Sequence, residues 1–508
     1  MKPDLVIGVD SSTSATKAIA WDREGRAVAS GRSEISISNP APGHFEQDPA
    51  EWWSSTVKAL RAVTAKVDPA RIAGLAISNQ RETFGLFGED GTALCPGTVW
   101  LDERARPQER RFGESFGAGR VHEISGKPLD VIPCLYRMIW FREEEPAVFA
   151  KAERLADVHG FLAFNLTGRW ATSTASADPM GVFDMRARRW SAEILEAARV
   201  PQRTMLELEP PGTVIGTISA AAAGATGLRE GTPVIAGGGD GQCAGTGAGV
   251  LREGHAYINL GTAVVSGTYG RDYRHDLAFR TETAIAENGY IFETCLRSGT
   301  FLVDWMTREL MAPPGVAADH LKSLEAEAAA VPVGAGGLVM LPYWQGVMDP
   351  HWDSSARGVI AGLSGSTRRG HVYRATLEAI ALHQAETSRR MAEVIGREVA
   401  DYVAIGGGAA SDLWMQILAD ALGKPVGRTL TVEASSLGAA MAAAKGVGWF
   451  PTIAEASDAM AGTVTARFEP DPRRAARYGE LRALHAELWP ALQAWNRKLA
   501  AFTERAGD

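Results

Sequence analysis

Short apolar runs followed by glycine or by small polar residues recur along this chain. Each run has the length of a buried strand rather than that of a helix. They lie at residues 5–9, 72–77, 234–236 and 403–405. Other segments carry apolar residues three or four positions apart, the longest over residues 369–394, and this spacing is typical of helices packed on one face. The alternation predicts an α/β fold.

The first run opens a strand–loop–strand pattern that returns in the second half of the chain. A strand ending at Asp10 is followed by a Ser/Thr-rich loop over residues 11–17 and then by another strand. Residues 256–267 repeat this order around Gly261 and Thr262. Such loops can hold phosphate oxygens through hydroxyls and backbone N–H groups, and Asp10 can hold Mg²⁺ directly or through water. An ordinary turn has the same composition. The repeat predicts two half-chains facing each other across a cleft.

The central stretch, residues 237–242, reads Gly-Gly-Gly-Asp-Gly-Gln and follows a buried strand. Glycines let a backbone approach a ligand closely. Asp240 among them is either a helix cap or turn residue, or a base directed into a cleft. The local pattern leaves both interpretations open.

Polar residues also follow the strand at 72–77. Arg81 and Glu82 are either a surface ion pair of little energetic weight, or a donor and an acceptor for neighbouring hydroxyls of a sugar or polyol. Trp100 follows a further short strand. Its ring can cover the apolar face of such a ligand or simply fill the core.

Nucleotide binding is suggested by a third glycine-rich strand end, residues 406–408, ahead of a helix start at Ser411. A helix N-terminus behind glycines is where phosphate can come close. There is no GxxxxGK[ST] pattern, so a P-loop protein is excluded. Residues 239–244 fit a loose dinucleotide-binding pattern, but Asp240 interrupts it where a pyrophosphate would lie. A dehydrogenase is therefore the less favoured alternative.

Length and charge narrow the class of protein. The chain has 508 residues, a formal net charge of −8 and four cysteines far apart in sequence. An acidic chain without a basic block argues against nucleic acid or an anionic membrane as the main partner. We expect a cytoplasmic protein with reduced thiols, no signal peptide and no membrane span. We divide it into domains at 1–250 and 251–450 and a peripheral helical extension at 451–508.

Taken together, these motifs resemble the FGGY carbohydrate kinases of the actin-like ATPase superfamily, from about residue 5 to residue 449. The most specific stretch reads Gly-x-Ile-x-Gly-Leu over residues 358–363 and, seven residues later, His-Val-x-x-Ala-Thr-Leu-Glu over 371–378. It fits the family's C-terminal signature throughout. The N-terminal signature is less exact, because Arg137 stands where the family usually has lysine.

The resemblance implies two ribonuclease-H-like domains around a central cleft, with ATP and a sugar bound between them. It implies Asp240 as the catalytic base and Asp10 as the Mg²⁺ ligand. The expected substrate-binding residues are Gln80, Arg81, Glu82, Trp100, Asp240 and Gln242. The expected ATP-binding residues are Ser12, Thr13, Ser14, Lys17, Gly261, Thr262, Gly406, Gly407 and Ser411. Dimers are usual among relatives, so a homodimer is possible, although no interface stripe stands out in the sequence.

The acceptor is less clearly marked. Residues 80–83, Gln-Arg-Glu-Thr, look like the glycerol kinase version of this strand end. Against glycerol, Ile132 stands where glycerol kinases place a tyrosine, and Gly241 stands where they place a glutamine. We expect Gly241 to enlarge that wall for a longer acceptor. A ketopentose such as D-xylulose is favoured, with glycerol or another polyol second. A chaperone-type ATPase or a non-catalytic sugar sensor is the alternative from another class.

Overall fold

The structure is a computed structural model that describes residues 3–311, 319–429 and 433–505. The strands of the first half are β1 (Leu5–Ser11), β2 (Ala15–Trp21), β3 (Ala27–Glu34), β4 (Glu46–Gln47), β5 (Ile72–Asn79), β6 (Phe84–Phe87), β7 (Gly97–Thr98), β8 (Arg154–Asp157), β9 (Ala171–Ser173), β10 (Phe183–Asp184), β11 (Arg189–Trp190), β12 (Glu207–Glu209), β13 (Val214–Thr217) and β14 (Pro233–Gly239). Those of the second half are β15 (His255–Leu260), β16 (Val264–Gly270), β17 (Arg280–Thr283), β18 (Tyr290–Leu296), β19 (Val339–Leu341), β20 (Val359–Ala361), β21 (Asp401–Ile405), β22 (Val426–Thr429) and β23 (Val464–Phe468).

Helices cover the sheets and connect their strands. Those of the first half are α1 (Pro49–Thr64), α2 (Arg106–Phe112), α3 (Ala118–Ser125), α4 (Cys134–Glu144), α5 (Pro146–Phe149), α6 (Val158–Thr167), α7 (Thr174–Ala177), α8 (Ala192–Ala198), α9 (Ala220–Thr226) and α10 (Asp240–Gly247). Those of the second half are α11 (Thr300–Trp305), α12 (Asp319–Ala329), α13 (Arg369–Ile395), α14 (Asp412–Leu422), α15 (Ala434–Gly446), α16 (Ile453–Met460) and α17 (Pro472–Arg505).

Two large sheets share one topology. The first has the strand order β13-β14-β5-β1-β2-β3, and the second has the order β17-β18-β16-β15-β21-β22-β23. In each, an antiparallel hairpin, β1–β2 or β15–β16, is joined to a parallel neighbour, β5 or β21. These are two ribonuclease-H-like domains of the actin-like type, and the hairpin repeat predicted from the sequence is confirmed.

Strand β1 is buried on both faces, as its unbroken apolar run predicts. Leu5 and Ile7 belong to the core cluster that includes Trp52 and Leu60 of α1, whereas Val6 packs in the cluster of α15. Helix α1 begins at Pro49, where the Asp48 side chain accepts a hydrogen bond from the N–H of residue 50.

The small-residue helix α15 approaches the first sheet closely. Ser436 Oγ donates to the Gly8 carbonyl oxygen at 2.9 Å. A Cβ added at Gly8 would lie 1.8 Å from the Ser436 carbonyl oxygen. On the other side of α15, a Cβ at Gly438 would lie 1.9 Å from the Cys243 carbonyl oxygen of α10. Helix α15 thus holds α10, and with it the central glycine stretch, against the first sheet.

The segment after residue 450 differs from the expected peripheral helix. It contributes β23, which pairs antiparallel with β22 and completes the second sheet. Helix α17 then buries Tyr478, His485 and Trp489 against the C-terminal domain. The segment packs firmly on the C-terminal domain because it adds a strand to the edge of the sheet and buries aromatic side chains. No helix among the described residues is both long and apolar enough for a membrane span.

Candidate active site

Three parallel strand ends assemble the centre of the site. Asp10 of β1 lies beside Ser78 of β5, and Ser78 lies beside Gly238 of β14 in the sheet register. Ser78 Oγ donates to Asp10 Oδ1 at 3.0 Å. Burial, together with the charge of nearby Asp240, raises the pKa of Asp10 to about 7. The ends of β1 and β14 therefore bring the carboxylates of Asp10 and Asp240 to the same edge of the sheet.

Asp240 is the first residue of α10. Its Oδ1 accepts from Arg81 Nε at 3.0 Å and from the Gly241 N–H at 2.7 Å. Its side chain is still 39% exposed. The carboxylate thus has one oxygen tied to the protein while a large part of the group remains open. Chemically, such a carboxylate can accept a proton from a ligand hydroxyl.

Arg81 connects the two domains through buried ion pairs. Besides Asp240, its guanidinium bonds Glu293 of β18 at 3.0 Å. Only 7% of the Arg81 side chain is exposed, and none of the Glu293 side chain. Because these charges are withdrawn from water, their attraction is much stronger than in a surface pair, and loss of either partner is costly.

A second buried arginine, Arg280, forms an ion pair with Glu82. Arg280 of β17 donates to Glu82 Oε1 at 2.8 Å and, through Nε, to Glu293 Oε1 at 2.8 Å. Burial raises the pKa of Glu82, although Arg280 acts in the opposite direction. Burial alone would also raise the pKa of Glu293, but Arg81 and Arg280 outweigh it and hold this pKa at about 2. Glu82 has a φ of 49°, a left-handed conformation uncommon for a residue other than glycine.

Two predicted substrate-binding residues lie behind this arrangement. Gln80 is 1% exposed and donates to Gln47 Oε1 at 2.8 Å. Gln242 is fully buried and donates to the carbonyl oxygen of Ala175 at 2.9 Å. In this conformation both amides are engaged inside the protein, and their contact with an acceptor stays a prediction.

The expected enlargement at Gly241 is wrong for this structure. A Cβ at this position would lie 2.8 Å from Glu293 Oε2 and 2.9 Å from an Arg81 guanidinium nitrogen. The space that a longer side chain would take is filled by the Arg81–Glu293 ion pair rather than left open. Gly241 therefore admits the ion pair, and gives no measure of acceptor length.

Trp100 links the first hairpin loop, residues 11–17, to the residues expected to bind the phosphate acceptor. Its indole Nε1 donates to Thr13 Oγ1 at 3.0 Å. The ring packs against an apolar cluster that also contains Ile132 of the N-terminal half and Val265 of β16. Trp100 is partly exposed at this cluster. Its position fits an aromatic surface for the carbon face of a ligand.

The buried Arg137, where lysine was expected, stabilises the same region. Its guanidinium donates to the carbonyl oxygens of Glu82, Val99 and Ile132. Glu82 is itself an expected substrate-binding residue, and Val99 directly precedes another, Trp100. Arginine can make all three bonds because its guanidinium is planar and carries five N–H donors.

The first hairpin contains four of the predicted ATP-binding residues. Ser12 closes the loop by donating to the Ala15 carbonyl oxygen at 2.8 Å, and Ser14 is exposed. Lys17 is engaged elsewhere, since its Nζ lies 2.7 Å from Glu433 Oε2. Each of these two side chains is 32% exposed. A phosphate at this loop would compete with Glu433 for the lysine.

The second hairpin and the strand end after β21 carry the remaining predicted nucleotide residues. The Gly261 carbonyl oxygen accepts from the N–H of Thr300, and Thr262 is exposed at the turn. At Gly406, φ is 85°, and a Cβ would lie 2.5 Å from Asn259 Oδ1 beside the second hairpin. Glycine is thus required there for the close approach of the two loops.

Gly407 faces open space, and Ser411 caps the next helix. A Cβ on Gly407 would meet no atom within 4 Å. Ser411 Oγ accepts from the Trp414 N–H at 3.2 Å at the start of α14. An open backbone beside a helix N-terminus can accommodate part of a nucleotide.

The sequence comparisons match these two domains. Residues 5–247 match the N-terminal domain of the FGGY family of carbohydrate kinases, and residues 242–447 match its C-terminal domain. The chain belongs to the FGGY family of carbohydrate kinases. Members of this family are ATP-dependent phosphotransferases, so this FGGY kinase uses ATP as phosphate donor and acts on a small sugar-like substrate.

Several FGGY kinases are similar to this chain over nearly its whole length. A xylulose kinase of Bacillus subtilis (strain 168) is 30% identical over 504 residues, which is 98% of this chain and 99% of the relative. A glycerol kinase of Citrifermentans bemidjiense is 30% identical over 485 residues, 93% of this chain and 96% of the relative. The crystal structure of a xylulose kinase from Rhodospirillum rubrum superimposes with a TM-score of 0.90 at 27% identity and covers 97% of this chain and 100% of that one.

Proposed function

We propose that this FGGY kinase transfers the γ-phosphate of ATP to a hydroxyl of a ketopentose, with D-xylulose as the favoured acceptor. The observation that carries the site assignment is the hydrogen bond of 3.0 Å from Arg81 to Asp240, whose carboxylate is still partly open. An acceptor hydroxyl placed at that carboxylate has a base for its proton and a cation beside the base.

Asp240 then acts as the general base. It accepts the hydroxyl proton as the acceptor oxygen bonds to the γ-phosphorus and the bond from phosphorus to the leaving ADP oxygen breaks. Arg81 fixes the orientation of the carboxylate, because Glu293 holds Arg81 from the other domain. The hairpin loops around Thr13 and Thr262 supply hydroxyl and N–H groups for the phosphates. Closure of the two domains on the acceptor would exclude water as a competing acceptor.

Asp10 is the residue proposed to hold Mg²⁺. The charge of Asp240 is close enough to raise the pKa of Asp10, and oxygen donors of this kind suit Mg²⁺. Among the described residues no group of three or more His, Cys, Asp or Glu side chains could enclose a metal ion. Phosphate oxygens and water would therefore complete the coordination, and bound Mg²⁺ supplies neutralisation of the phosphate charge.

The preference for a ketopentose over glycerol rests on Ile132 and on the relatives. Ile132 stands where glycerol kinases place a tyrosine, and the xylulose kinase of Bacillus subtilis matches 98% of this chain. The small cavity next to Ile132, which is also lined by Glu82, Lys127, Asp130 and Arg280, has a volume of about 10 Å³. It holds no more than one water molecule, so its size does not separate the two acceptors.

Glycerol or another polyol is the second candidate. The Gln-Arg-Glu-Thr strand end at residues 80–83 and the 30% identity to a glycerol kinase favour it. The two candidates are separated by a coupled ADP-release assay with purified protein, Mg²⁺, ATP and a panel of pentuloses, hexuloses, glycerol and erythritol. We expect the largest kcat/KM with D-xylulose. A larger kcat/KM with glycerol would replace the ketopentose, and ADP release that is independent of every acceptor would contradict the kinase proposal.

A further inference from the structure

A pocket in the C-terminal domain lies apart from the residues assigned to ATP and the acceptor. It has a volume of about 550 Å³ and is lined by the ends of α13 and α14 and the beginning of α17. Tyr402, the second residue of β21, forms part of its wall. Gly406, on the predicted nucleotide side, follows the last residue of the same strand and is about 13 Å away along it. The pocket is therefore a separate cavity, and its volume is typical of small-molecule sites.

The pocket is open because small residues line it. Seven of its seventeen lining residues are alanine or glycine. The most informative is Gly479, because it lies inside helix α17, where glycine is less favourable than alanine. Its φ is not positive, and an added Cβ would meet no atom of the described residues within 4 Å. Neither the backbone conformation nor crowding requires glycine there, whereas a side chain at this position would take up space in the pocket.

Arginines make one side of the pocket positively charged, on a chain whose formal net charge is −8. Arg389, Arg390 and Arg482 bond the single carboxylate of Glu386 at 2.8, 2.8 and 3.2 Å. Glu393 also pairs with Arg389. Three guanidiniums therefore share two carboxylates, and one positive charge stays unmatched within this cluster. Because the arginines are partly exposed, their ion pairs are weak enough for an anionic ligand to compete with them.

The inner wall of the pocket is apolar. Val399 and Tyr402 are buried there, 4% and 3% exposed, and Leu422 lies beside them. The hydroxyl-bearing Ser388, 5% exposed, is the uncharged polar side chain of this wall. An apolar wall with few polar groups favours a ligand with an apolar body. The neighbouring arginines favour a carboxylate or phosphate group on that body, because guanidiniums form strong charge-assisted hydrogen bonds with such anions.

We propose that this pocket binds one small organic anion with an apolar body per chain. The anionic group lies at Arg389 and Arg482, and the apolar body lies against Val399 and Tyr402. The site is additional to the ATP and acceptor sites and does not depend on which acceptor the kinase uses. A cationic ligand of the same shape is disfavoured, because it would meet like charges at the arginines.

Calorimetry with 2-naphthoate tests the proposal, since this probe combines a carboxylate with an apolar body. A non-hydrolysable ATP analogue and Mg²⁺ are present at saturation to occupy the nucleotide site of the full chain. We expect one 2-naphthoate per chain with a Kd on the order of 0.1 mM, as for a ligand of this size. The ammonium compound 2-naphthylmethylamine has a similar body and the opposite charge, and it should bind at least tenfold more weakly.

Variants locate the probe in the pocket. Gly479→Phe and Ala392→Phe fill the pocket from two different helices and should each weaken 2-naphthoate binding at least tenfold. Gly479→Ala should retain the wild-type affinity within about twofold and raise Tm. Arg482→Gln should weaken binding about fivefold through the lost charge. Arg473→Gln removes a charge from an exposed position of the same helix and is the matched control, expected to bind like wild type.

The outcomes are separable from misfolding and from binding elsewhere. Thermal unfolding checks that the two filling variants are folded, and Arg482→Gln alters only a partly exposed side chain. A wild type that does not bind 2-naphthoate would overturn the proposal. Equal affinity for the carboxylate and the ammonium compound would overturn the anionic preference. Wild-type affinity in both filling variants would show that the probe binds outside this pocket.

Discussion

Replacing Glu293 by glutamine removes the shared counter-charge of Arg81 and Arg280. The carboxylate is fully buried, lies 3.0 Å from Arg81 and also accepts from the Tyr257 hydroxyl at 3.0 Å. Glutamine preserves the shape but leaves two buried guanidiniums with one negative charge fewer. Removing one partner of a buried ion pair costs about 3–5 kcal/mol in the free energy of unfolding. For a domain of this size we expect Tm to fall by on the order of 10 °C.

The kinetic effect follows from the position of Arg81. Without Glu293 the Arg81 guanidinium keeps its 3.0 Å contact with Asp240 and a longer contact of 3.6 Å with Glu282. Its ion pair with the base Asp240 therefore becomes stronger. We expect the acceptor KM to rise about tenfold or more, equivalent to roughly 1.4 kcal/mol, while the ATP KM changes little. Coupled ADP release with acceptor or ATP varied separately measures this difference.

The pH dependence of the same variant provides a second readout. The pKa of Glu293 is held at about 2 in the folded protein, below the usual glutamate value of roughly 4.3. Its stabilisation is therefore fully present above that usual value and is lost as the pH falls toward 2. The Tm difference between wild type and Glu293→Gln should persist at pH 7 and narrow in acid. Glu398→Gln, which removes an exposed pair with Lys424, is the control expected to leave Tm unchanged. A Glu293→Gln variant with wild-type Tm and acceptor KM would refute the reasoning.

Two further changes test the close packing and the nucleotide loop. Gly237→Ala should destabilise the protein severely, because the added Cβ would lie 2.0 Å from the Ile77 carbonyl oxygen. Gly224→Ala in α9, where the Cβ meets no atom within 4 Å, should stabilise the protein by about 0.5–1 kcal/mol. Urea unfolding measures both stabilities, and equal values would contradict the close packing at Gly237. Glu433→Gln should free Lys17 and raise the affinity for a non-hydrolysable ATP analogue by up to about fivefold, as expected for a partly exposed ion pair. An affinity below that of wild type in calorimetry would show that Glu433 assists binding instead.

The sequence was sufficient for four residues of the site but not for the residues of the second domain that pair with them. Asp10, Arg81, Glu82 and Asp240 follow apolar strand ends, so the local pattern marks them. Arg280 lies in β17, where charged residues alternate with threonines in a way typical of an exposed strand. It is buried because its partner Glu82 comes from nearly two hundred residues earlier in the chain. Only the folded chain shows this pairing.

Other differences have the same origin. Gly241 suggested open space in the sequence, but Arg81 and Glu293 fill it from two domains. Strand β23 was missed although its five residues, Val464–Phe468, alternate between apolar and polar. The segment beyond residue 450 was interpreted as helical throughout, and the strand is stabilised by the edge of β22. By contrast, the two hairpins and helix α13 depend mainly on local spacing and were predicted correctly. Local periodicity determines elements, whereas long-range pairing determines which charges can be buried.

The most direct test of the central claim is acceptor phosphorylation by Asp240→Asn. A general base contributes about 10²–10⁴-fold, so we predict that sugar-dependent ADP release falls at least a hundredfold. The ATP affinity and Tm should stay near those of wild type. Asp272→Asn, at an exposed position, is the matched control and should retain full activity. Turnover of Asp240→Asn close to that of wild type would contradict the assignment of Asp240 as the base.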